Sequence, residues 1–420
     1  MQSHYNREAK RGQHLLGELL ALGLVYAGKT SYNKDKLEGG SSMRIPRRYW
    51  RNLDWPLIAA VLALIMIGMV VIYSASHSQL EASGLNPYHY VYRQLLALGM
   101  GVAVAILIIS IDYRAWIRWT RIIYLGNILL LAGVLLMGKT AFGSQRWVKL
   151  GPLNIQPSEL AKIGLILVLA KIFSEKEQAG DPRAVGRAFL LTLIPTGLIL
   201  LQPDMGTGAI FICLLFTLWF IGGAKPKHIL IAGGSMLTAA AAGIIVSSRG
   251  WLKIIKPYQL KRLLVFLDPY SDPTGSGWNI IQSMIAIGSG GFLGKGLLNG
   301  TQSSLRFLPA NHTDFVFSVI AEELGFLGSV AVLALYVFLI WRGLRVAAIA
   351  KDTYGALLAT GATSIFFFHL LINVGMTLGI MPVTGLPLPF ITAGGSTMLT
   401  SLLAIGIILN VGLRRIKIMF

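Results

Sequence analysis

The sequence predicts an all-α polytopic membrane protein, with about ten transmembrane helices and a large outward loop between spans seven and eight. The first observation behind this prediction is composition. Of the 420 residues, 54% are hydrophobic and only 13% are charged, whereas soluble domains average about a quarter charged residues. The second is spacing, because apolar runs of about 20 residues, the length that a helix needs to cross the hydrocarbon, recur along the chain.

Basic residues outnumber acidic ones, which gives the chain a formal net charge of +19. They stand in short clusters between the apolar runs, and this distribution is typical of cytoplasmic loops that face anionic lipid. We therefore expect membrane lipids, and no nucleic acid, as partners of these charges. The single cysteine, Cys213, lies inside an apolar run, so the sequence predicts neither a disulfide framework nor a thiolate metal site.

Residues 1–42 differ from the rest of the chain and are interpreted as an N-terminal extension, either a linker or an addition from cloning. The run from 37 to 42 has the composition of a flexible linker, and Met43 resembles a natural start. Residues 43–420 form the predicted ten-helix membrane domain. Within it, residues 248–312 form the predicted extracytoplasmic loop.

The apolar runs place ten spans in order. They lie near 55–75, 92–111, 120–138, 157–173, 187–202, 206–222, 228–247, 313–341, 355–380 and 396–413. The fifth and sixth spans are separated only by Pro203-Asp204-Met205, which predicts a tight helical hairpin.

Orientation follows from the lysines and arginines of the short loops, which stay on the cytoplasmic side of a membrane. With ten spans, the basic clusters all fall on one side, at 44–51, 114–121, 176–187, 225–227, 342–351 and 414–417. Both termini are then cytoplasmic, and the loop at 248–312 faces outward.

Two carboxylates four residues apart, Asp268 and Asp272, distinguish the outward loop. Prolines and glycines at 269, 273, 275 and 277 stop a regular helix and favour a rigid turn around them. Acidic side chains on a membrane-flanked loop are costly to place without a use. We therefore expect chemistry at this loop.

Six short motifs from the outward loop onward carry a resemblance to a known family. They are Asp272-Pro273 with Gly275 and Gly277, Gln282-Ser283, Gly294-Lys295-Gly296, Gly300-Thr301-Gln302, Leu308-Pro309 and Thr313-Asp314-Phe315. They resemble the SEDS family (shape, elongation, division and sporulation proteins), and the Gly-Lys-Gly and Gly-Thr-Gln steps resemble its RodA branch rather than the division-specific FtsW branch. Ala310 departs from the pattern, because relatives usually carry a glutamate after Leu-Pro, so no role for that carboxylate is carried over.

The resemblance implies a peptidoglycan glycosyltransferase of the bacterial inner membrane that polymerises lipid II into glycan strands during cell elongation. A sugar hydroxyl loses a proton in this reaction while undecaprenyl diphosphate leaves, and a carboxylate is suited to act as general base. Asp272 is the expected base, because its Asp-Pro-x-Gly-x-Gly motif matches across the family, whereas FtsW-type relatives tolerate a non-acid at 268. The implied partners are a class B penicillin-binding protein that crosslinks the product and other membrane proteins of the elongation complex.

Six further polar residues at the outward ends of spans, or in the outward loop, are candidates for binding the substrate. They are Arg93, Arg146, Glu159, Lys162, Arg262 and Lys295. Arg93, Lys162 and Arg146 are the candidates for neutralising the departing diphosphate, and Arg262 could also meet it. Whether a divalent cation binds together with the diphosphate is left open. No metal site in the protein is expected, because the seven histidines show no metal-ligand spacing.

Three of these candidates have structural alternatives. Glu159 and Lys162, at i and i+3, can form an ion pair that anchors a helix end as readily as they can face a cavity. Lys295 stands in a glycine-dense run, residues 288–296, which forms either a backbone nest for a diphosphate or a close-packed turn. General glycine usage favours the turn.

Two other classes of function compete with the enzyme. A lipid II flippase or transporter would be marked by broken helices and midplane charges, whereas the charged residues here cluster at the outward ends of spans. A scaffold of the elongation complex would only hold the penicillin-binding protein. We expect the penicillin-binding partner of the enzyme to pack on spans eight and nine, at 326–336 and 366–378. Small residues there permit close approach of a partner helix or serve internal packing.

Overall fold

The computed structural model describes residues 53–137, 139–141, 144–150, 153–175, 178–248, 262, 265–275, 277–305 and 307–415. The predicted extension at 1–42 and most of the basic segment that precedes Asp268 lie outside the described residues. So does the basic cluster that precedes the first span.

Helices dominate the described chain. Ten long ones are α1 (Trp55–Ala82), α2 (His89–Ser110), α3 (Trp116–Met137), α4 (Pro157–Ser174), α5 (Pro182–Leu201), α6 (Met205–Ile221), α7 (Pro226–Ser248), α10 (Val316–Ala348), α11 (Thr353–Thr377) and α12 (Gly395–Leu413). The outward loop adds α8 (Trp278–Ser289) and the short α9 (Thr301–Ser304), and two 3-10 turns cover Tyr113–Ala115 and Pro269–Ser271.

The long helices match the ten predicted spans in order. Eight of them are long and apolar enough to cross a membrane by length and composition alone. The other two are α4, whose charged residues include Glu159 and Lys162, and α6, which has only 17 residues. Both pack against α11 in the same bundle, so the all-helical polytopic fold is confirmed.

Aspartates begin several of the helices because a side-chain carboxylate satisfies backbone N–H groups that have no partner within the first turn. Asp54 Oδ1 accepts from the Leu57 amide at 3.1 Å, and Asp352 Oδ1 accepts from the Gly355 amide at 2.7 Å. The same carboxylates receive arginines from other segments at the basic end of the bundle. Arg342 contacts Asp54 at 2.7 Å, and Arg114 contacts Asp352 at 2.7 Å. These pairs tie α10 to α1 and the start of α3 to α11.

A small antiparallel sheet, absent from the sequence prediction, lies between α3 and α4. Its strands are β1 (Lys139–Ala141), β2 (Ser144–Leu150) and β3 (Leu153–Ile155), in the order β1-β2-β3. Two of the strands have only three residues, and the seven residues of β2 do not alternate regularly between polar and apolar, so the sheet lacks the usual strand signal. The sheet matters because β2 carries Arg146.

Helix α10 is broken near its outer end. Gly325 adopts φ 67° and ψ −164°, a conformation that interrupts the helical hydrogen bonds. The carbonyls of Glu322 and Glu323 instead accept from the amides of Lys295 at 3.0 Å and Gly296 at 2.9 Å. A Cβ on Gly290 would lie 1.9 Å from the Ala321 carbonyl oxygen. The glycine-dense run is therefore a close-packed turn that clamps the helix break, as the second of the two alternatives predicted.

Candidate active site

Asp272 follows the 3-10 turn of the outward loop and is half-buried. Its carbonyl accepts from the Gly275 amide at 3.3 Å and the Gly277 amide at 3.1 Å. A Cβ on Gly275 would lie 2.4 Å from Asp272 Oδ2, and one on Gly277 would lie 2.0 Å from the Pro269 carbonyl oxygen. The two glycines therefore let the backbone fold closely around this carboxylate, which explains their spacing in the sequence.

Asp268 occupies a different position at the start of the same turn. Its side chain is exposed, and its Oδ1 accepts from the Tyr270 amide at 3.0 Å. This is the role of a capping residue. The geometry therefore separates the two carboxylates, with Asp268 holding the turn and Asp272 more enclosed beyond it.

Helix α8 fixes this loop to the bundle. Trp278 Nε1 donates to the Phe307 carbonyl at 2.7 Å. Further along, the Ser283 hydroxyl lies 2.7 Å from that of Ser318 on α10 and donates to the Thr377 carbonyl of α11 at 2.7 Å. The loop that carries Asp272 is therefore supported on the outer ends of α10 and α11.

Arg146 reaches from β2 to the turn between α5 and α6. Its Nε donates to the Gln202 carbonyl at 2.7 Å, and its guanidinium also contacts the Pro203 carbonyl. Asp204 Oδ2 lies 3.9 Å from the Arg146 guanidinium and accepts from Gln156 Nε2 at 2.9 Å. Residues from three separated segments of the chain are thus brought into contact.

Asp314 lies within the electrostatic reach of this turn, just before α10. Burial raises the pKa of Asp314 to about 6, against the lowering effect of the Arg262 and Arg146 guanidinium groups, while Asp204 raises it further. Its carboxylate accepts no hydrogen bond from a described residue. Arg262 is exposed and contacts the Val383 carbonyl at 3.4 Å. We call Arg146, Asp204, Arg262 and Asp314 the outer cluster.

The site residues predicted from sequence omit Asp314, although it belongs to one of the motifs that carry the family resemblance. A signal was present, since Asp314 is an acidic residue at the start of the eighth predicted span. The two predicted cations Arg146 and Arg262 are brought towards one carboxylate by the fold, and that carboxylate is not the predicted Asp272.

Glu159 and Lys162 lie inside the bundle. Lys162 has no exposed surface, and its Nζ contacts Glu159 Oε1 at 2.8 Å and His369 Nε2 at 2.7 Å. An ammonium group only donates, so His369 Nε2 accepts and the Nδ1–H donates to the Pro387 carbonyl at 2.8 Å. The network joins α4 to α11 and to the segment before α12. Of the two alternatives for this pair, the geometry supports the structural ion pair.

Lys295 is also engaged within the protein. Its Nζ contacts Glu322 Oε1 at 2.7 Å and Thr301 Oγ1 at 2.8 Å. The same Glu322 oxygen accepts from the amides of Thr301 at 2.8 Å and Gln302 at 3.1 Å. We call Lys295, Thr301, Glu322 and the adjacent Glu323 the helix-break cluster, because they surround the break in α10.

Arg93 lies in the first turn of α2 and is half-buried. No hydrogen bond or ion pair joins its guanidinium to another described residue. The neighbouring Gln94 donates to the Thr392 carbonyl at 3.1 Å. One helical turn away, the ring of Tyr90 packs at 4.4 Å on that of His312, two residues before Asp314. Burial lowers the pKa of His312, so this imidazole is neutral near pH 7.

The predicted residues therefore separate into distinct groups. Arg146 and Arg262 belong to the outer cluster, Lys295 belongs to the helix-break cluster, and Glu159 with Lys162 is enclosed in the core. Among the described residues, no three His, Cys, Asp or Glu side chains are grouped as ligands for a metal ion.

A bundle of membrane-spanning helices with charged groups gathered at one end defines a polytopic membrane protein with a polar site at that end. Comparison with known proteins gives the family. The family model of the FtsW/RodA/SpoVE cell cycle proteins matches residues 55–416, and the chain belongs to this family. Sequence relatives support this membership.

Two of these relatives are nearly equidistant from the chain. It is 39% identical to the peptidoglycan glycosyltransferase MrdB of Escherichia coli strain K12, over 87% of this chain and 94% of MrdB. It is 37% identical to the stage V sporulation protein E of Bacillus subtilis strain 168, over 85% of this chain and 96% of that protein. Because these identities are so close, identity alone does not assign the branch.

A solved structure, described as the structural coordination of polymerization and crosslinking by a peptidoglycan synthase complex, contains a similar chain. The TM-score is 0.71 at 38% identity, and the match covers 86% of this chain and 97% of the other. The fold described above is therefore shared with a chain of that complex.

Proposed function

We propose that this protein is a peptidoglycan glycosyltransferase that polymerises lipid II into glycan strands, with Asp272 as the general base. Family membership supports the reaction class, because a relative of nearly the same length carries the name peptidoglycan glycosyltransferase. The observation that supports the base is the geometry of the outward loop. There the backbone closes around the half-buried Asp272 carboxylate, while Asp268 serves as a cap.

In the proposed reaction, the 4-hydroxyl of the acceptor GlcNAc attacks the anomeric carbon of the donor MurNAc. The hydroxyl proton passes to the Asp272 carboxylate, and the bond to undecaprenyl diphosphate breaks with inversion at the anomeric carbon. A direct displacement of this kind needs one activated hydroxyl and no covalent intermediate. It also needs positive charge near the departing diphosphate.

Arg146, Arg262 and Arg93 are the proposed diphosphate contacts. Arg262 is exposed, and Arg93 makes no ion pair with a described residue. Arg146 is 3.9 Å from its nearest carboxylate, longer than a typical charge-assisted hydrogen bond. Guanidinium groups bind phosphate oxygens in a bidentate manner when they are not already matched to carboxylates. Lys162 and Lys295 are less suited, because both already contact glutamates below 3 Å.

We assign the protein to cell elongation within this family. The Gly294-Lys295-Gly296 and Gly300-Thr301-Gln302 steps support the RodA branch. In the structure these two motifs form part of the turn that packs against the break in α10. The residues that resemble the RodA branch therefore lie in a packed structural element. The proposed crosslinking partner is a class B penicillin-binding protein, by analogy with the synthase complex that contains the similar chain.

We also propose an orientation in the inner membrane in which both termini are cytoplasmic and Asp272 faces outward. Reporter fusions after Arg183 and after Ala350 should then be active in the cytoplasm, and fusions near Tyr270 should be active outside. A cytoplasmic signal at Tyr270 would separate the loop from its substrate and contradict the glycosyltransferase assignment.

A lipid II flippase is the second candidate function, because the structure contains one of the marks expected of a transporter. The break at Gly325 lies beside two buried glutamates, and the Oε2 atoms of Glu322 and Glu323 have no hydrogen-bond partner among the described residues. Polymerisation of purified lipid II in detergent distinguishes the two functions. The enzyme makes glycan there, whereas a flippase or a scaffold does not.

A further inference from the structure

A cleft of about 420 Å³ opens between α3, α4 and α5 at the basic end of the bundle, opposite the outer cluster. Its charged lining consists of three cations, Arg121, Lys171 and Arg187, and one carboxylate, Glu175. Within the described part of the chain, none of the three cations forms an ion pair with a carboxylate. The cleft therefore carries an excess of positive charge that the protein leaves uncompensated.

Each cation has an apolar residue of the cleft one turn deeper on its own helix. Leu125 follows Arg121 by four residues, Leu191 follows Arg187 by four, and Val168 precedes Lys171 by three on the oppositely directed α4. Residues at these spacings lie on one helix face. The cleft is thus layered, with cations at the rim and an apolar wall towards the middle of the bundle.

Side-chain hydrogen bonds between the helices hold the cleft in shape. The Tyr124 hydroxyl of α3 donates to the Leu191 carbonyl of α5 at 2.8 Å, and Lys171 Nζ donates to the Ile117 carbonyl at 3.0 Å. An ammonium has three donors, so Lys171 keeps donors for a ligand. These bonds fix the spacing of the three helices, so the cleft is part of the fold.

The rim carries a further hydrogen-bonded chain. Arg187 donates to Gln178 Oε1 at 3.3 Å, and Gln178 Nε2 donates to Glu175 Oε2 at 2.6 Å. The Glu175 carboxylate, the one acidic group of the cleft lining, is therefore hydrogen-bonded to the Gln178 amide. Arg187 keeps most of its five donors for a ligand.

We propose that this cleft binds an anionic phospholipid of the adjacent leaflet, with the headgroup phosphate at Arg121, Lys171 and Arg187 and an acyl chain along Leu125 and Leu191. The two layers match the two chemistries of such a lipid. Basic pockets between spanning helices recognise anionic headgroups in this way. In the predicted orientation the leaflet is the cytoplasmic one. Leu125 is 59% exposed, which leaves the apolar wall open to an acyl chain.

Native mass spectrometry of the full chain in detergent, titrated with phosphatidylglycerol or with phosphatidylcholine of the same acyl chains, tests the site. In the double variant R121Q/R187Q, phosphatidylglycerol affinity should fall roughly 30-fold, because each cation near a headgroup contributes about fivefold. Phosphatidylcholine binding should not change. The matched control R118Q/R183Q removes the same charge from α3 and α5 outside the cleft and should bind like the wild type.

Equal losses in the two double variants would show that only the overall charge attracts the lipid, and would overturn the proposal. Competition with inorganic phosphate is the second test. If it displaces phosphatidylglycerol at comparable concentrations, the site takes a free anion and the lipid assignment is wrong. Thermal unfolding of each variant guards against misfolding. Should R121Q/R187Q fail to fold, R121Q alone decides, since Arg121 is exposed and contacts no other described side chain by a hydrogen bond or ion pair.

Discussion

The outer cluster and the helix-break cluster both contain cations and carboxylates, but their cations are paired with carboxylates to different degrees. In the helix-break cluster, Glu322 Oε1 accepts from Lys295 Nζ at 2.7 Å and from Thr301 in addition. In the outer cluster, Arg146 approaches Asp204 only to 3.9 Å, and the Asp314 carboxylate receives no hydrogen bond from a described residue. Oε2 of Glu322 and of Glu323 has no hydrogen-bond partner among the described residues, so the difference lies in the cations. The Lys295 ammonium is closely paired with a carboxylate, whereas the Arg146 guanidinium is not.

This comparison separates residues that sequence position alone had grouped. Arg146 and Lys295 are both cations beside membrane spans, and both were predicted to bind substrate. The structure commits Lys295 to a buried glutamate, while the Arg146 guanidinium reaches backbone carbonyls and a distant carboxylate.

The largest expected effect on activity is at Asp272 in the outward loop. Asp272→Asn should lower lipid II polymerisation by roughly 10²–10⁴-fold, because it removes the general base. Glycan formation by the purified protein with its partner measures this, and expression and thermal unfolding should match the wild type. Asp268→Asn is the matched control and should lose much less. The opposite ranking of the two variants would transfer the base role to Asp268.

A substitution in the helix-break cluster should act on stability instead. Lys295→Met leaves the buried Glu322 without its cation, and breaking a buried pair in this way costs about 3–5 kcal/mol. A marked fall in the unfolding temperature is expected, and adding Glu322→Gln should restore part of it, as a double-mutant cycle would show. Lost polymerisation at an unchanged unfolding temperature would instead make Lys295 a substrate contact.

A smaller effect, dependent on pH, is expected at Asp314. Because the pKa of Asp314 rises to about 6 in the folded protein, its carboxyl is ionised above pH 6 and protonated below it. We expect the ionised form to orient Arg146 and Arg262, so polymerisation should fall on acidification through pH 6. Asp314→Asn should lower activity at pH 8 and abolish this step in the pH profile. A variant that keeps the wild-type step would place its origin elsewhere.

Folding stability should depend on the Asp314 carboxyl with the opposite pH trend to activity, and should fall as pH rises. A pKa raised by burial means that the fold favours the protonated carboxyl, so its stabilising contribution is complete below about pH 4 and is lost as pH rises through 6. Asp314→Asn should therefore unfold at the same temperature as the wild type near pH 4 and at a higher one near pH 8. Lower stability of the variant at pH 8 would contradict the assigned direction.

The smallest effect is expected at a surface remote from both clusters. An apolar groove of about 260 Å³ between α10 and α11 is lined by residues that include Leu333, Phe367 and Leu371. It coincides with the spans predicted to receive the penicillin-binding protein. Leu371→Trp should fill the groove and weaken copurification severalfold, without changing either cluster. Leu193→Trp, at an exposed position on α5, is the matched control.

The small residues at this surface serve internal packing. A Cβ on Gly375 would lie 2.9 Å from Met381 Cγ, one on Gly328 would lie 2.2 Å from Leu324 Cβ, and the Ser329 hydroxyl donates to the Gly325 carbonyl at 2.9 Å. Bulky substitutions at those glycines would disturb the helices themselves. If Leu371→Trp and Leu193→Trp copurify equally well with the partner, the groove is not the interface.

The helical membrane fold, the order of its spans and the turn around Asp272 could be predicted from the amino-acid sequence. Length and hydropathy fix a spanning helix because every backbone group in the hydrocarbon must be satisfied within its own segment. Proline and glycine restrict the backbone locally, so the turn around Asp272 was also visible in the chain. Such features depend on neighbours in sequence.

Which charged side chains meet depends on how distant segments of the chain pack together. Lys162 contacts His369 across 207 residues of sequence and Lys295 contacts Glu322 across 27, and no local pattern encodes such contacts. The break at Gly325 was equally hidden, because its freed carbonyls are satisfied by amides from a distant turn. Whether a charge is paired or available depends on packing in three dimensions, and that availability distinguishes the candidate site from the core.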